Sequence, residues 1–381
     1  MEKPKPGEAK ILIAGDFCPH KRIEELALKG NYESVFNDFI DEFRGHDLTI
    51  VDFECPLTAS EKARRKTGPH QKSHPETISI LNYAGVNLVV LANNHIMDYD
   101  NDGIAETLEL CRKNGIDTTG VGRSREEAAL PYSKMINGRK IAVLNYADNE
   151  FLSTPDGSYT CNPIDYVRCY YDIKKISKEH DFLIVIVHGG NEFYELPSPR
   201  TKELYRYMID LGADIVLSHH THVFSGYEIY NSKPIFYGLG NLVYDWPGKI
   251  NEKWNRGYLV RLNISSKLKF EIVPYKQCGE KPGLFHLGDN ETVLFNKEIS
   301  RLNSIIDNDD LLEKEFQSYC ESVSPMYRAF IEPYFGRVIT ALQKRGLLPR
   351  MFTRKKILLH LNLSRCESHR DVLLRMLKKY E

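Results

Sequence analysis

The residues that could do chemistry in this 381-residue chain follow short apolar runs. KILIAG leads into Asp16, and LTIVDFE carries Asp52 and Glu54. LVVLANNH ends in Asn94 and His95, FLIVIVHGG holds His188, and DIVLSHHTH ends in His219, His220 and His222. Singly, each has an ordinary explanation, since an Asp after a strand is most often a turn or cap residue. Jointly they differ, because five run ends carry only carboxylate, amide and imidazole groups. Such donors, with no thiolate cluster beside them, suit Mn²⁺, Fe or Zn²⁺ at a catalytic site better than a Cys-based structural zinc. The set exceeds the needs of one four-coordinate ion, so two divalent ions sharing a carboxylate are expected. A pair of ions can acidify water and clamp the attacking and leaving oxygens of an in-line displacement.

Those groups need elements that bring them together. From residue 9 to about 275, β-branched apolar runs alternate with helical patterns such as GIAETLELCRKNG and TKELYRYMIDLGA. In the latter, Leu204, Met208 and Leu211 fall at i, i+4 and i+7. Several runs are continuous, as in strands covered on both faces. The alternation predicts an α/β domain with layered helices and a largely parallel central sheet. The carboxyl ends of such strands share one crevice, where ligands bind. YESVFNDFIDEF reads as a helix. From about 300, LLEKEFQSYCESV, MYRAFIEPYFGRVITALQKRG and HRDVLLRMLKKYE follow a helical period, with Ser368 and Asp371 as a capping pair. The boundaries expected are 9–299 for the α/β domain and 300–381 for a helical C-terminal extension.

Lys+Arg 51 against Asp+Glu 52 gives no overall case for nucleic-acid binding. The balance is uneven, however: residues 341–381 hold eleven Lys/Arg and three Asp/Glu. The eight cysteines are scattered without C-x-x-C pairs and read as reduced packing thiols. MEKPKPGEAK is polar, and the apolar runs are too short to cross a bilayer. A cytoplasmic location is the expectation.

The order GD (15–16), DFECPLT (52–58), LANNHIMD (91–98), HGGNE (188–192), HHTHV (219–223) and PIFYGLGN (234–241) resembles the CapA family. These are capsule and poly-γ-glutamate biosynthesis proteins with a calcineurin-like metallophosphoesterase fold. The resemblance spans roughly residues 9–250 and implies layered, metallophosphoesterase-like sheets flanked by helices. It implies that Asp16 and His222 hold one ion and Asn94, His188 and His220 the other, with Glu54 bridging. His95 matches the histidine that meets the phosphate and protonates the leaving oxygen, and Asp98 would orient it. Glu192 would support the rim. Cys18 stands where many metallophosphoesterases carry a histidine, and Asp52 where family members more often carry Asn.

The loop SEKARRKTGPHQKSH (60–74) lies between two ligand-bearing runs and could grip an anion, with Lys72 and His74 expected to face inward. The basic tail reads as a solvated face, a dock for an acidic partner or anionic polymer, or, being amphipathic, a weak peripheral membrane contact. The leading expectation is a metal-dependent phosphoesterase in envelope-polymer biosynthesis, acting on an anionic or polymer-precursor small molecule beside polymer-synthesis proteins. Two alternatives are a non-catalytic metal-binding subunit of a polymer synthase and a γ-glutamyl amide hydrolase.

Overall fold

A computed structural model describes residues 7–246, 253–331 and 353–378, with isolated positions between them. Two sheets lie face to face. One runs Leu284–His286, Leu268–Gln277, Arg256–Ile264, Ala9–Cys18, Leu48–Phe53, Leu88–Val90 and Asp117–Thr119, with Asn241–Tyr244 pairing beside Ala9–Cys18. The other runs Tyr227–Tyr230, Lys233–Phe236, Ile215–His219, Phe182–His188, Arg139–Ala147 and Tyr132–Ile136. The strands that carry chemistry pair in parallel: Ala9–Cys18 with Leu48–Phe53, and Phe182–His188 with Ile215–His219. Antiparallel strands complete the edges, so where a largely parallel central sheet was expected the main sheets are two and mixed. The missed strand Leu268–Gln277, next to the edge, alternates half-buried with exposed and then with buried positions, and so lacks a continuous apolar run.

Alternation along the strands builds the layers. Ile11, Ile13 and Ile50 face a core shared with Val143, Val185 and Leu217 of the second sheet. Leu12, Ala14 and Val51 face outward onto Ile23, Phe39, Leu81 and Ile104. Leu204, Met208 and Leu211 of the helix Pro199–Leu211 are buried on the second sheet, as their spacing predicts. The result is a layered α/β arrangement of sheets flanked by helices. YESVFNDFIDEF is not one helix: it splits at Asn37 into Glu33–Phe36 and a 3₁₀ segment, Asn37–Phe43.

The helix Asp289–Ile306 runs through the expected 299/300 boundary and places Phe295, Ile299 and Leu302 in the shared core. Beyond it, Asp309–Ile331, Arg354–Arg365 and Glu367–Lys378 pack around Phe316, Cys320, Leu363, Val372 and Met376. Most of MYRAFIEPYFGRVITALQKRG lies outside the described residues. Val372 and Met376 give the last helix's apolar face an intramolecular partner, while Leu374 and Leu377 point outward. Among the described residues, no helix is long and apolar enough to cross a membrane. All eight cysteines are buried and unpaired.

Gly15 sits where the Ala9–Cys18 strand meets Asn241–Tyr244, and a Cβ there would overlap the Gly240 carbonyl oxygen. Both sides of that contact are backbone, so it cannot relax by a rotamer change. Gly15→Ala is expected to destabilise the fold by about 2–3 kcal/mol in chemical denaturation; an unchanged midpoint would contradict this packing.

Candidate metal centre

Strand ends from both sheets meet at one edge. Asp16 lies in the Ala9–Cys18 strand, Asp52 in Leu48–Phe53 with Glu54 just beyond, and His188 and His219 close their own strands. Asn94 and His95 follow Leu88–Val90. His220 and His222 adopt positive φ (88° and 57°), which is strained backbone for a side chain of this size.

Two donor groups share one carboxylate. Asp16, Glu54 and His222 offer ligand atoms within 4.8 Å of one another, and so do Glu54, His188 and His220. Asn94 joins the second group, with Oδ1 3.1 Å from His188 Nε2, which is also 3.1 Å from His220 Nδ1. His188 Nδ1 lies 2.6 Å from Asp52 Oδ2, so Asp52 fixes the tautomer and aims Nε2 at the cluster. On the other side, His222 Nδ1 is 3.0 Å from Asn241 Oδ1, and the ring packs against Tyr244 and Trp254.

The electrostatics fit a cation. Glu54 is fully buried, and neither of its oxygens has a hydrogen-bond partner. Burial, then the charges of Asp16 and Asp52, push its pKa well up. Burial works in the same direction on Asp16, but hydrogen bonds and charge from His219 and His222 outweigh it and hold Asp16 well below the usual range. Burial pushes His188 down to about 3 and His220 down to about 4, leaving both as neutral imidazoles. Neutral imidazoles and an unsatisfied carboxylate at contact distance are acceptors without donors, which a divalent ion relieves.

His95 stands beside this cluster. Its Nδ1 is 2.7 Å from Asp98 Oδ2, so Nε2 is the ring atom left for a substrate. Lys66 pairs with Asp98 and lies 3.2 Å from His95 Nδ1. A cavity of about 510 Å³ opens over the edge, and Lys66, Asn94, His95, Glu192 and His220 all line it.

The substrate-binding expectation for Lys72 and His74 is corrected. Lys72 Nζ is held by the Ser60 carbonyl and Glu61, and exposed His74 caps the turn at Pro75–Thr77. Lys66 is the cation from that loop at the cavity. Sequence reading also passed over Asp148 and Glu150, although they too follow a strand, Arg139–Ala147. Glu150 Oε1 accepts from Asn362 at 2.8 Å, and Oε2 is 3.4 Å from Asn94 Nδ2. Ser368 and Asp371 do not cap: Ser368 donates to Asp148 at 2.5 Å, and Asp371 accepts from Arg200 at 2.5 Å.

Against this geometry stand the comparisons with known proteins. The family model for bacterial capsule synthesis protein PGA_cap matches residues 10–246. This chain belongs to the PGA_cap family. Among curated relatives, the PGA biosynthesis protein CapA of Bacillus subtilis (strain 168) is 31% identical, over 69% of this chain and 70% of its own length. The capsule biosynthesis protein CapA of Bacillus anthracis is 28% identical over 62% of this chain; the match spans 59% of that relative's length. A solved structure of a hypothetical protein from Thermus thermophilus aligns at 15% identity over 70% of this chain and 99% of its own, with a TM-score of 0.43. The family match ends before the C-terminal helices, which supply Asn362 and His369 to the cavity lining of this PGA_cap member.

A raised carboxylate pKa means that ionised Glu54 opposes folding at neutral pH in the absence of a counter-ion. In chelator-treated protein, Glu54→Gln is expected to melt about 2–4 °C higher than the wild type. With Mn²⁺ present the order should invert, because the wild type gains binding energy that the variant lacks. If added metal raises both melting points equally, Glu54 is not a ligand.

Proposed function

We propose that this PGA_cap protein is a metal-dependent phosphoric-ester hydrolase serving capsule, poly-γ-glutamate or related envelope-polymer biosynthesis. The observation that carries the reading is the shared Glu54, without a hydrogen-bond partner on either oxygen, between two donor sets with His95 alongside. Asp16, Glu54 and His222 would hold one ion; Glu54, Asn94, His188 and His220 would hold the other. Bound divalent ions would supply an acidified water and neutralise charge on the phosphoryl oxygens. The names of the two Bacillus relatives support the biosynthetic setting.

The chain's own residues do the rest. Asp52 keeps His188 in the tautomer that presents Nε2. Asp98 holds His95 through Nδ1, so that Nε2 can give its proton to the leaving ester oxygen. Burial, then Lys66, lower the His95 pKa, and Asp98 works against them. A phosphate arriving beside the ring adds the negative charge that favours its protonated form. Lys66, with little exposure, offers a second cation to the same group. Glu192 lies on the rim of the cavity, where it would position the non-reacting part of a substrate. Eight unpaired cysteines support a reducing, cytoplasmic setting, with polymer-synthesis proteins as working partners.

Metal analysis of the purified protein, followed by turnover of phosphomonoesters and phosphodiesters with Mn²⁺, tests the reading. His95→Ala should lower kcat by about 10²–10⁴-fold while retaining metal. Bound metal with no phosphoester turnover would favour a non-catalytic assembly subunit; turnover of γ-glutamyl amides alone would favour an amide hydrolase.

Lys66→Met should mainly raise KM for a phosphomonoester, by about tenfold, since it removes one charge-assisted contact. An unchanged KM would remove Lys66 from substrate binding.

A further inference from the structure

Two basic stretches, the 60–74 loop and the C-terminal tail, have no part in the metal centre apart from Lys66. They meet in a second cavity of about 500 Å³ that is lined by Arg64, Arg65, Arg354, Arg365, Asp100 and Phe151 among others. Four arginines face one carboxylate there. Arg64 and Arg65 come from the loop, and Arg354 and Arg365 from opposite ends of the helix Arg354–Arg365.

Two of the four arginines are poorly satisfied by the protein. Arg64 Nη1 donates to the Phe151 carbonyl at 2.7 Å, but its Nε is buried without a hydrogen-bond partner, and so is Arg365 Nε. A buried guanidinium donor left unpaired is costly. Burial, and then the charge of Arg64, lower the Arg365 pKa, so the two cations repel each other across the cavity wall. Both stack on the Phe151 ring, at 5.8 and 4.7 Å from its centroid. Phe151 holds a positive φ of 56°, strained for an aromatic residue. Its ring is shared: Lys66 sits 5.1 Å from the same centroid, and Phe151 also lines the cavity over the metal centre. Phe151 therefore divides an arginine-lined cavity from the catalytic one.

We propose that the arginine cavity is an oxyanion subsite, taking a phosphate or carboxylate on the part of the ligand that extends past Phe151 from the metal edge. An incoming oxyanion would satisfy the stranded guanidinium donors and relieve the like-charge contact. The substrate class is then an oligoanion rather than a lone phosphomonoester. That identification of the ligand as substrate rests on the phosphoesterase reading; the binding of an oxyanion does not.

The test uses full-length, metal-replete His95→Ala protein, so that turnover does not consume the probe. Calorimetric titrations with fructose 1,6-bisphosphate and with a γ-linked glutamate tetramer are compared across added Arg365→Gln, Arg354→Gln and Lys62→Gln substitutions. Arg365→Gln and Arg354→Gln should each raise Kd about tenfold for at least one probe, and Lys62→Gln, on the same loop but outside the cavity lining, should leave it unchanged. A loss confined to the bisphosphate assigns a phosphate ligand, and one confined to the tetramer a carboxylate ligand. Arg354 is exposed at the start of its helix, so its substitution keeps the test valid should Arg365→Gln fail to fold. If both arginine variants bind both probes as the parent does, or if the parent binds neither, the proposal is overturned. Because the readout is binding, a protein without phosphoesterase turnover can still pass it.

Discussion

Burying Asp16, Asp52 and Glu54 against a ring of imidazoles is the constraint on which the rest of the structure depends. Each carboxylate resists removal from water, and the fold gives two of them partners: His219 and His222 for Asp16, His188 for Asp52. Glu54 has no hydrogen-bond partner on either oxygen. Its Oε1 lies 3.6 Å from the Nε2 atoms of His188, a neutral acceptor, and of His222, an arrangement that suits a bound cation. Parallel pairing puts Asp16 opposite Asp52 and His188 opposite His219 in register, so backbone ladders fix these four, while Glu54, Asn94, His220 and His222 follow closely on strand ends. The positive φ values at His220 and His222 show where backbone strain is concentrated to aim the last two rings.

The C-terminal helices are tied into this edge. Asn362 donates to Glu150, Glu367 accepts from Asn149, Ser368 donates to Asp148, and Asp371 pairs with Arg200. His369 lies near Glu150 and is held by Tyr327 at 2.7 Å. Three of these contacts reach the segment just beyond the Arg139–Ala147 strand, and the fourth reaches Arg200 in the helix Pro199–Leu211. The extension therefore builds part of the cavity wall rather than hanging from the α/β body. The opening charge asymmetry also takes on a place in the fold, because part of the basic tail meets the basic loop around Phe151.

Much of the centre was legible because continuous apolar runs mark buried strands, and strand ends in α/β layers converge. Asp16, Glu54, Asn94, His188, His220 and His222 could be grouped on that basis and by family resemblance. The same rule would have found Asp148 and Glu150, which follow their strand just as Glu54 follows Leu48–Phe53. What sequence could not resolve was side-chain reach within a loop: Lys66 and Lys72 are six residues apart, yet one meets Asp98 and the other Glu61. Ser368 and Asp371 had cap spacing, but tertiary partners, Asp148 and Arg200, outcompeted the local ones. The split at Asn37 was equally hidden, since the apolar spacing of YESVFNDFIDEF is helical and only the backbone φ of 47° there reveals the break.

Anomalous diffraction at the manganese edge, from crystals of Mn²⁺-loaded protein, tests the metal centre most directly. Two peaks flanking Glu54 are predicted, one beside Asp16 and His222 and the other beside His188 and His220. No peak at that edge, or a single peak that does not touch Glu54, would contradict a shared two-ion site.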